Sequence, residues 1–148
     1  MRSYTHHDFD RLSFHDNLLR GFAIRCDAGR SDLILDIDYI DEWVTPCTRP
    51  TWKVASADLI FHGVTGLDLS MSWDDKKYHT SRAGDCILDV TREVIQDQLV
   101  YLDRPYYLWR FAFAANSQLS LGAYGFTLEL RQDPIVYEEQ SLPLHLRA

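Results

Sequence analysis

Residues 18–39 read LLRGFAIRCDAGRSDLILDIDY, two runs of alternating apolar and polar positions joined by a polar, glycine-bearing segment. Alternation at period two marks a half-buried β-strand, and two such runs around a turn make a hairpin. If Asp27 faces Asp32 across that turn, Ile24 lies opposite Leu35 and Phe22 opposite Ile37, so one face of the ribbon is continuously apolar and Cys26 falls on it. The other face then carries Asp36 and Asp38, opposite Ala23 and Gly21, where no bulky neighbour covers the two carboxylates.

Working outward, the chain of 148 residues, 46% hydrophobic and 13% aromatic, is long enough to bury a substantial core as one domain spanning 1–148. A formal charge of −7, with 22 acids against 15 bases, argues against a nucleic-acid partner, since backbone binding relies on clustered Lys and Arg. No stretch approaches the roughly 18 apolar residues of a membrane span, and the opening MRSYTHHDFD lacks the apolar run of a signal peptide. Cys26, Cys47 and Cys86 form an odd, scattered set without CxxC spacing, which points to reduced thiols and a cytoplasmic protein.

Residues 1–17 show no periodicity and read as a turn or extended lead-in. Adjacent His6 and His7 point to opposite sides of an extended chain, a poor bidentate pair, so no metal is expected there. His15 and Asp16 directly precede the hairpin, which would bring one of them to the sheet edge near Asp38. Beyond Tyr39, the two prolines of IDEWVTPCTRPTW carry the chain to another strand. Residues 52–73 then read as a second hairpin: Ala57, Leu59 and Phe61 alternate on the way in, and Leu67, Leu69, Met71 and Trp73 on the way out around Thr65-Gly66. DDKKYHTSRAGD is a charged surface loop. Residues 86–100 fit either a helical face or a strand, and the isoleucine and valine content favours strand. In YYLWRFAFA, Tyr107, Trp109, Phe111 and Phe113 make an aromatic stripe of the kind that fills a core. After the turn at Asn116-Ser117, Leu119, Leu121 and Ala123 give way to Phe126, Leu128 and Leu130, a change of parity that one extra residue at Tyr124-Gly125, a β-bulge, would restore. The proline-broken tail is expected to wrap a sheet edge. These patterns predict an all-β antiparallel sandwich or strongly curved sheet of about seven to nine strands with little helix, its core holding Phe22, Ile24, Leu35, Ile37, Leu69, Trp109, Phe111 and Phe126.

Phe14-His15-Asp16 before the first hairpin, Leu35 to Ile40 with Trp43, ADLIFHGVTGLDL at 57–69, and Gly125-Phe126 followed by Arg131 to Pro134 together resemble a group of small, uncharacterised bacterial FHD-containing all-β proteins. Some of that group are assigned to toxin-immunity families. The resemblance covers most of the chain, and others of the group have no assigned role. It carries no catalytic residue.

Catalytic signatures are missing from the sequence: there is no GxSxG, HExxH, P-loop or GxGxxG, and no cysteine has a neighbour that would activate it. No catalytic residue, metal or cofactor is assigned. Three readings follow. A non-catalytic protein-interaction module of bacterial type, immunity-protein-like, would present Asp36, Asp38, His15 and Asp16 to a protein partner, with homo-oligomerisation open. A small-molecule or carbohydrate-binding domain would stack its ligand on Trp43, Trp52 and Tyr78. A metal-dependent enzyme would need Asp36 and Asp38, roughly 7 Å apart on one strand face, to converge with a histidine.

Overall fold

The computed structural model describes residues 2–44, 49–72, 84–96 and 104–148. The hairpin forms from β2 (Leu18–Asp27) and β3 (Arg30–Val44). Its turn is tighter than the sequence suggested, because Ala28 (φ 47°) and Gly29 (φ 76°) alone make it. Two left-handed residues match the twist of antiparallel strands; an alanine there is a strained choice that composition does not advertise. Asp27 therefore pairs with Arg30, Ile24 with Leu33 and Phe22 with Leu35. This shift of two residues leaves every side chain on its expected face. The ladder slips again between Leu19 and Gly21, so Leu19 faces Ile37 and Leu18, a bulky residue, faces Asp38.

The other strands are β1 (Ser3–Thr5), β4 (Thr51–His62), β5 (Thr65–Ser70), β6 (Asp85–Val94), β7 (Tyr107–Phe113), β8 (Gln118–Ala123), β9 (Gly125–Leu130) and β10 (Ile135–Tyr137). All ten join one antiparallel sheet in the order β1-β9-β4-β3-β2-β6-β7-β8-β5, with β10 beside β4. The sheet is not closed into a barrel. It folds over at the two-residue ladder where Leu18 and Leu19 of β2 meet Cys86 and Asp85 of β6. One layer contributes Leu35, Ile37, Leu59, Phe61, Phe126 and Leu128 to the core, and the other contributes Trp109, Phe111, Leu119 and Leu121. Phe61 meets Trp109 at 5.3 Å and Phe111 at 5.7 Å, edge to face across the layers. A 3-10 turn at His6–Arg11 closes one end, where Phe9 packs on Trp109 at 5.4 Å.

Several expectations change. Residues 52–73 do not form a hairpin: β4 pairs with β3 and β9, whereas β5 pairs with β8. The chain crosses between layers at Gly63, whose φ of 63° permits the corner. Nor is Tyr124-Gly125 a bulge within one strand, because β8 pairs with β7 and β9 with β4. This is a second crossing, tied to the first by the Tyr124 amide donating to the His62 carbonyl at 3.3 Å. Either arrangement puts Leu119, Leu121, Ala123, Phe126, Leu128 and Leu130 inside, and all six are buried. Residues 85–94 are strand, as the isoleucine and valine content favoured, while residues 97–100 lie outside the described residues. The tail supplies β10, which covers the edge of β4 at Trp52–Val54.

Of the expected core, Leu35, Ile37, Trp109, Phe111 and Phe126 are buried, and Leu69 is partly so. Phe22 and Ile24 are not: they stand 48% and 55% exposed, although their cross-strand partners Leu35 and Leu33 are each 1% exposed. The physical reason is the fold-over. Among the described residues β6 pairs with β2 only at Leu18 and Leu19, and further along the strand Ile24 lines an open cleft with Val64 and Leu67. Cys26, further along the same strand, is exposed too.

Candidate functional site

Asp36 and Asp38 lie on the outer face of β3, as alternation places them, but that face is occupied. The Asp38 carboxylate is fully buried. Its Oδ2 accepts from Arg20 Nε and Nη2 at 3.0 and 2.7 Å and from the Leu142 amide at 3.1 Å, and its Oδ1 accepts from Arg147 Nε at 2.7 Å. Asp36 accepts from Arg147 and from Arg131. The tail is seated by further bonds: Ser56 Oγ donates to the Ala148 carbonyl at 3.1 Å, and Gln132 Nε2 to the Leu146 carbonyl at 3.0 Å. Burial by itself would lower the pKa of Arg147, but its bonds to Asp36 and Asp38 outweigh that and raise it.

Asp16, with a left-handed φ of 63°, accepts from Gln140 Nε2 at 3.1 Å, and its amide donates to the Ile87 carbonyl at 2.7 Å. His15 is more exposed: its Nδ1 lies 2.8 Å from the Leu88 carbonyl and its Nε2 3.5 Å from Asp16. The segment from Gln140 to Ala148 thus touches Asp16, Asp38 and Asp36 in turn. The expected open acidic face is the seat of the chain's own tail. A metal ion at Asp36 and Asp38 would have to displace guanidinium groups, and no grouping of three or more metal-ligating side chains occurs among the described residues.

Trp43 and Trp52 do come together. They are directly opposed on β3 and β4, with ring centroids 5.8 Å apart at 76°. Tyr137 of β10 stands opposite Trp52 on its other side. Trp43 is 49% exposed, whereas Trp52 and Tyr137 pack on a small cluster of Ile40, Val54 and Leu142. The third stacking candidate, Tyr78, lies outside the described residues.

One constellation escaped the sequence reading. His62 Nε2 lies 2.8 Å from Thr127 Oγ1 and its Nδ1 lies 3.4 Å from Asp32 Oδ2, while Asp32 Oδ1 accepts from the Gly63 amide at 3.1 Å. Burial would raise the Asp32 pKa, but the Gly63 amide, His62 and Arg30 together hold it below the usual carboxylate value. The order hydroxyl, imidazole, carboxylate matches that of a hydrolytic triad. Here, however, the Gly63 amide bonds the carboxylate instead of facing a reacting oxygen, and the trio acts as a clamp across β9, β4 and β3. Its members lie 30 and 65 positions apart, a separation that leaves no local signal.

The remaining feature is the β2–β3 arm beyond the fold-over, with Phe22 and Ile24 uncovered. No protein-family model matches the chain, and no curated protein matches it either. No helix among the described residues is long and apolar enough to cross a membrane.

Proposed function

We propose that the chain is a non-catalytic protein-interaction module of bacterial type, immunity-protein-like in build, which meets its partner through the β2–β3 arm. One observation carries this reading: Phe22 and Ile24, 48% and 55% exposed, stand directly opposite the buried core residues Leu35 and Leu33. Adjacent exposed apolar side chains on a strand mark a binding surface or an aggregation liability, and a net charge of −7 opposes aggregation. Commitment of Asp36 and Asp38 to Arg20, Arg131 and Arg147 supports moving the interface from the acidic face to the arm.

Co-expression with the product of the adjacent gene tests it. The native chain should hold that protein, and Phe22→Asp/Ile24→Asp should weaken the complex by about tenfold or more, about 1.4 kcal/mol, with the circular dichroism spectrum unchanged. Equal binding by both chains would refute the arm as the interface. The Trp43–Trp52 pair beside Tyr137 favours a second reading, a carbohydrate-binding domain. Glycan binding lost in Trp43→Ala but retained in Phe22→Asp/Ile24→Asp would install that reading instead.

A further inference from the structure

Residues 138–148, which follow β10, are attached to the sheet differently from any strand. Among the described residues no backbone–backbone hydrogen bond joins this segment to the rest of the chain. Each bond it makes to the sheet has a side chain at one end. The Leu142 amide donates to Asp38 and the Leu142 carbonyl accepts from Arg20; Gln132 and Ser56 hold main-chain atoms of Leu146 and Ala148; Arg147 donates to Asp36 and Asp38. Only Ser141 and Leu142 of the segment are buried, and Leu144 is 77% exposed. The groups beneath keep partners of their own: Asp38 accepts from Arg20 at 2.7 and 3.0 Å, Asp36 from Arg131, and Gln132 from Ser56 at 2.8 Å. Lifting the segment therefore strands no buried charge in the sheet, the event that makes loss of an ion-pair partner costly.

We infer that this seat is a binding groove for a peptide carrying a leucine and, five positions on, an arginine, and that residues 138–148 are a latch that fills it in cis. The chemistry of the seat defines the occupant. Asp36 and Asp38 converge on one guanidinium, whose planar fork of donors engages both carboxylates where a lysine ammonium is a single point charge. Leu142 is 1% exposed and packs with Ile40 and Val54, so an aliphatic side chain fills the other end. A 3-10 turn at Leu144–Leu146, entered through Pro143, sets the spacing of the two anchors. Ser56 and Gln132 bond only main-chain atoms of the segment, so they hold any sequence there. A segment with one deeply buried apolar side chain and no ladder belongs to the part of a native structure that opens first, so the latch lifts while the sheet stays folded. Because the latch is tethered, its effective concentration is in the mM range, and a free peptide competes once the latch is weakened. The groove lies on the outer face of β3, away from Phe22 and Ile24, and does not depend on the arm being an interface.

Two measurements decide it. In hydrogen exchange on the native chain, the Leu142 amide should exchange at least about 100-fold faster than the amides of Leu59 and Phe61 in the core of β4. The peptide QSLPLHLRA, residues 140–148, is then titrated into the native chain and into the whole chain carrying Arg147→Ala, whose latch has lost its fork. It should bind Arg147→Ala at least about tenfold more tightly than the native chain, and alanine in place of the peptide's arginine should abolish that gain. Should Arg147→Ala not fold, Arg147→Lys, which keeps the charge without the fork, takes its place in the same comparison. Equal exchange of Leu142 and the β4 amides would show that the segment opens only with the sheet and would overturn the latch. A peptide that binds no variant, or binds equally with and without its arginine, would overturn the groove.

Discussion

Replacing Asp38 by Ala tests whether the tail is part of the fold. The substitution deletes a buried carboxylate that accepts from Arg20 at 2.7 and 3.0 Å, from Arg147 at 2.7 Å and from the Leu142 amide at 3.1 Å. Hydrogen bonds to charged groups contribute about 1.5–3 kcal/mol each, but these share one acceptor group and do not add. Breaking a buried pair by removing one partner costs about 3–5 kcal/mol. Here the stranded cations have fallbacks: Arg147 keeps Asp36 and Arg20 keeps the Leu142 carbonyl. We therefore expect about 3 kcal/mol for Asp38→Ala. Arg147→Ala should cost about 2 kcal/mol, since it leaves Asp38 with Arg20 and the Leu142 amide. The double variant should fall short of the sum by about 1–2 kcal/mol, the coupling of a direct contact. Urea unfolding followed by circular dichroism at constant m-value measures all three. A loss below about 1 kcal/mol for Asp38→Ala, or strict additivity, would refute the buried clamp and reopen the acidic face to a partner.

The remaining expectations use the same unfolding assay. Phe111→Ala should cost about 3–5 kcal/mol because the ring is enclosed between layers, whereas Phe22→Ala should cost less than about 1 kcal/mol in the monomer, the ring being half exposed already; equal losses would contradict the uncovered arm. The His6 pKa is lowered from 6.5 by burial first, then by His7 and Arg92. Its folded value lies below its unfolded one, so its contribution is complete above 6.5 and declines as pH falls through the folded value. His6→Gln should flatten stability in that interval, and an unchanged pH profile would show that the ring titrates freely.

The fold was legible where periodicity sufficed. Trp109, Phe111 and Phe126 could be placed inside because alternation assigns faces without knowing which strand is the neighbour. Pairing partners were not legible. The run from Trp52 to Trp73 has the spacing of a hairpin, yet Gly63 turns the chain into the other layer, and a glycine with positive φ serves a layer crossing as readily as a tight turn. Phe22 and Ile24 have the same alternating signature as Leu33 and Leu35. What separates them is where β6 departs, some sixty positions away, and no local pattern encodes that.

The acidic pair shows the same limit at the level of a site. Its spacing on one strand face was readable from Asp36-x-Asp38. Occupancy by Arg147 was not, because the residues are separated by 109 and 111 positions and meet only after β10 has turned the tail across the sheet. Once that tail is in place, the two most conspicuous side-chain sets exchange roles. Carboxylates that look available become structural, since Asp38 is buried against Arg20 and Arg147 and the partly exposed Asp36 is held by Arg131 and Arg147. Apolar residues that look structural become available, since among the described residues β6 pairs with β2 only at Leu18 and Leu19.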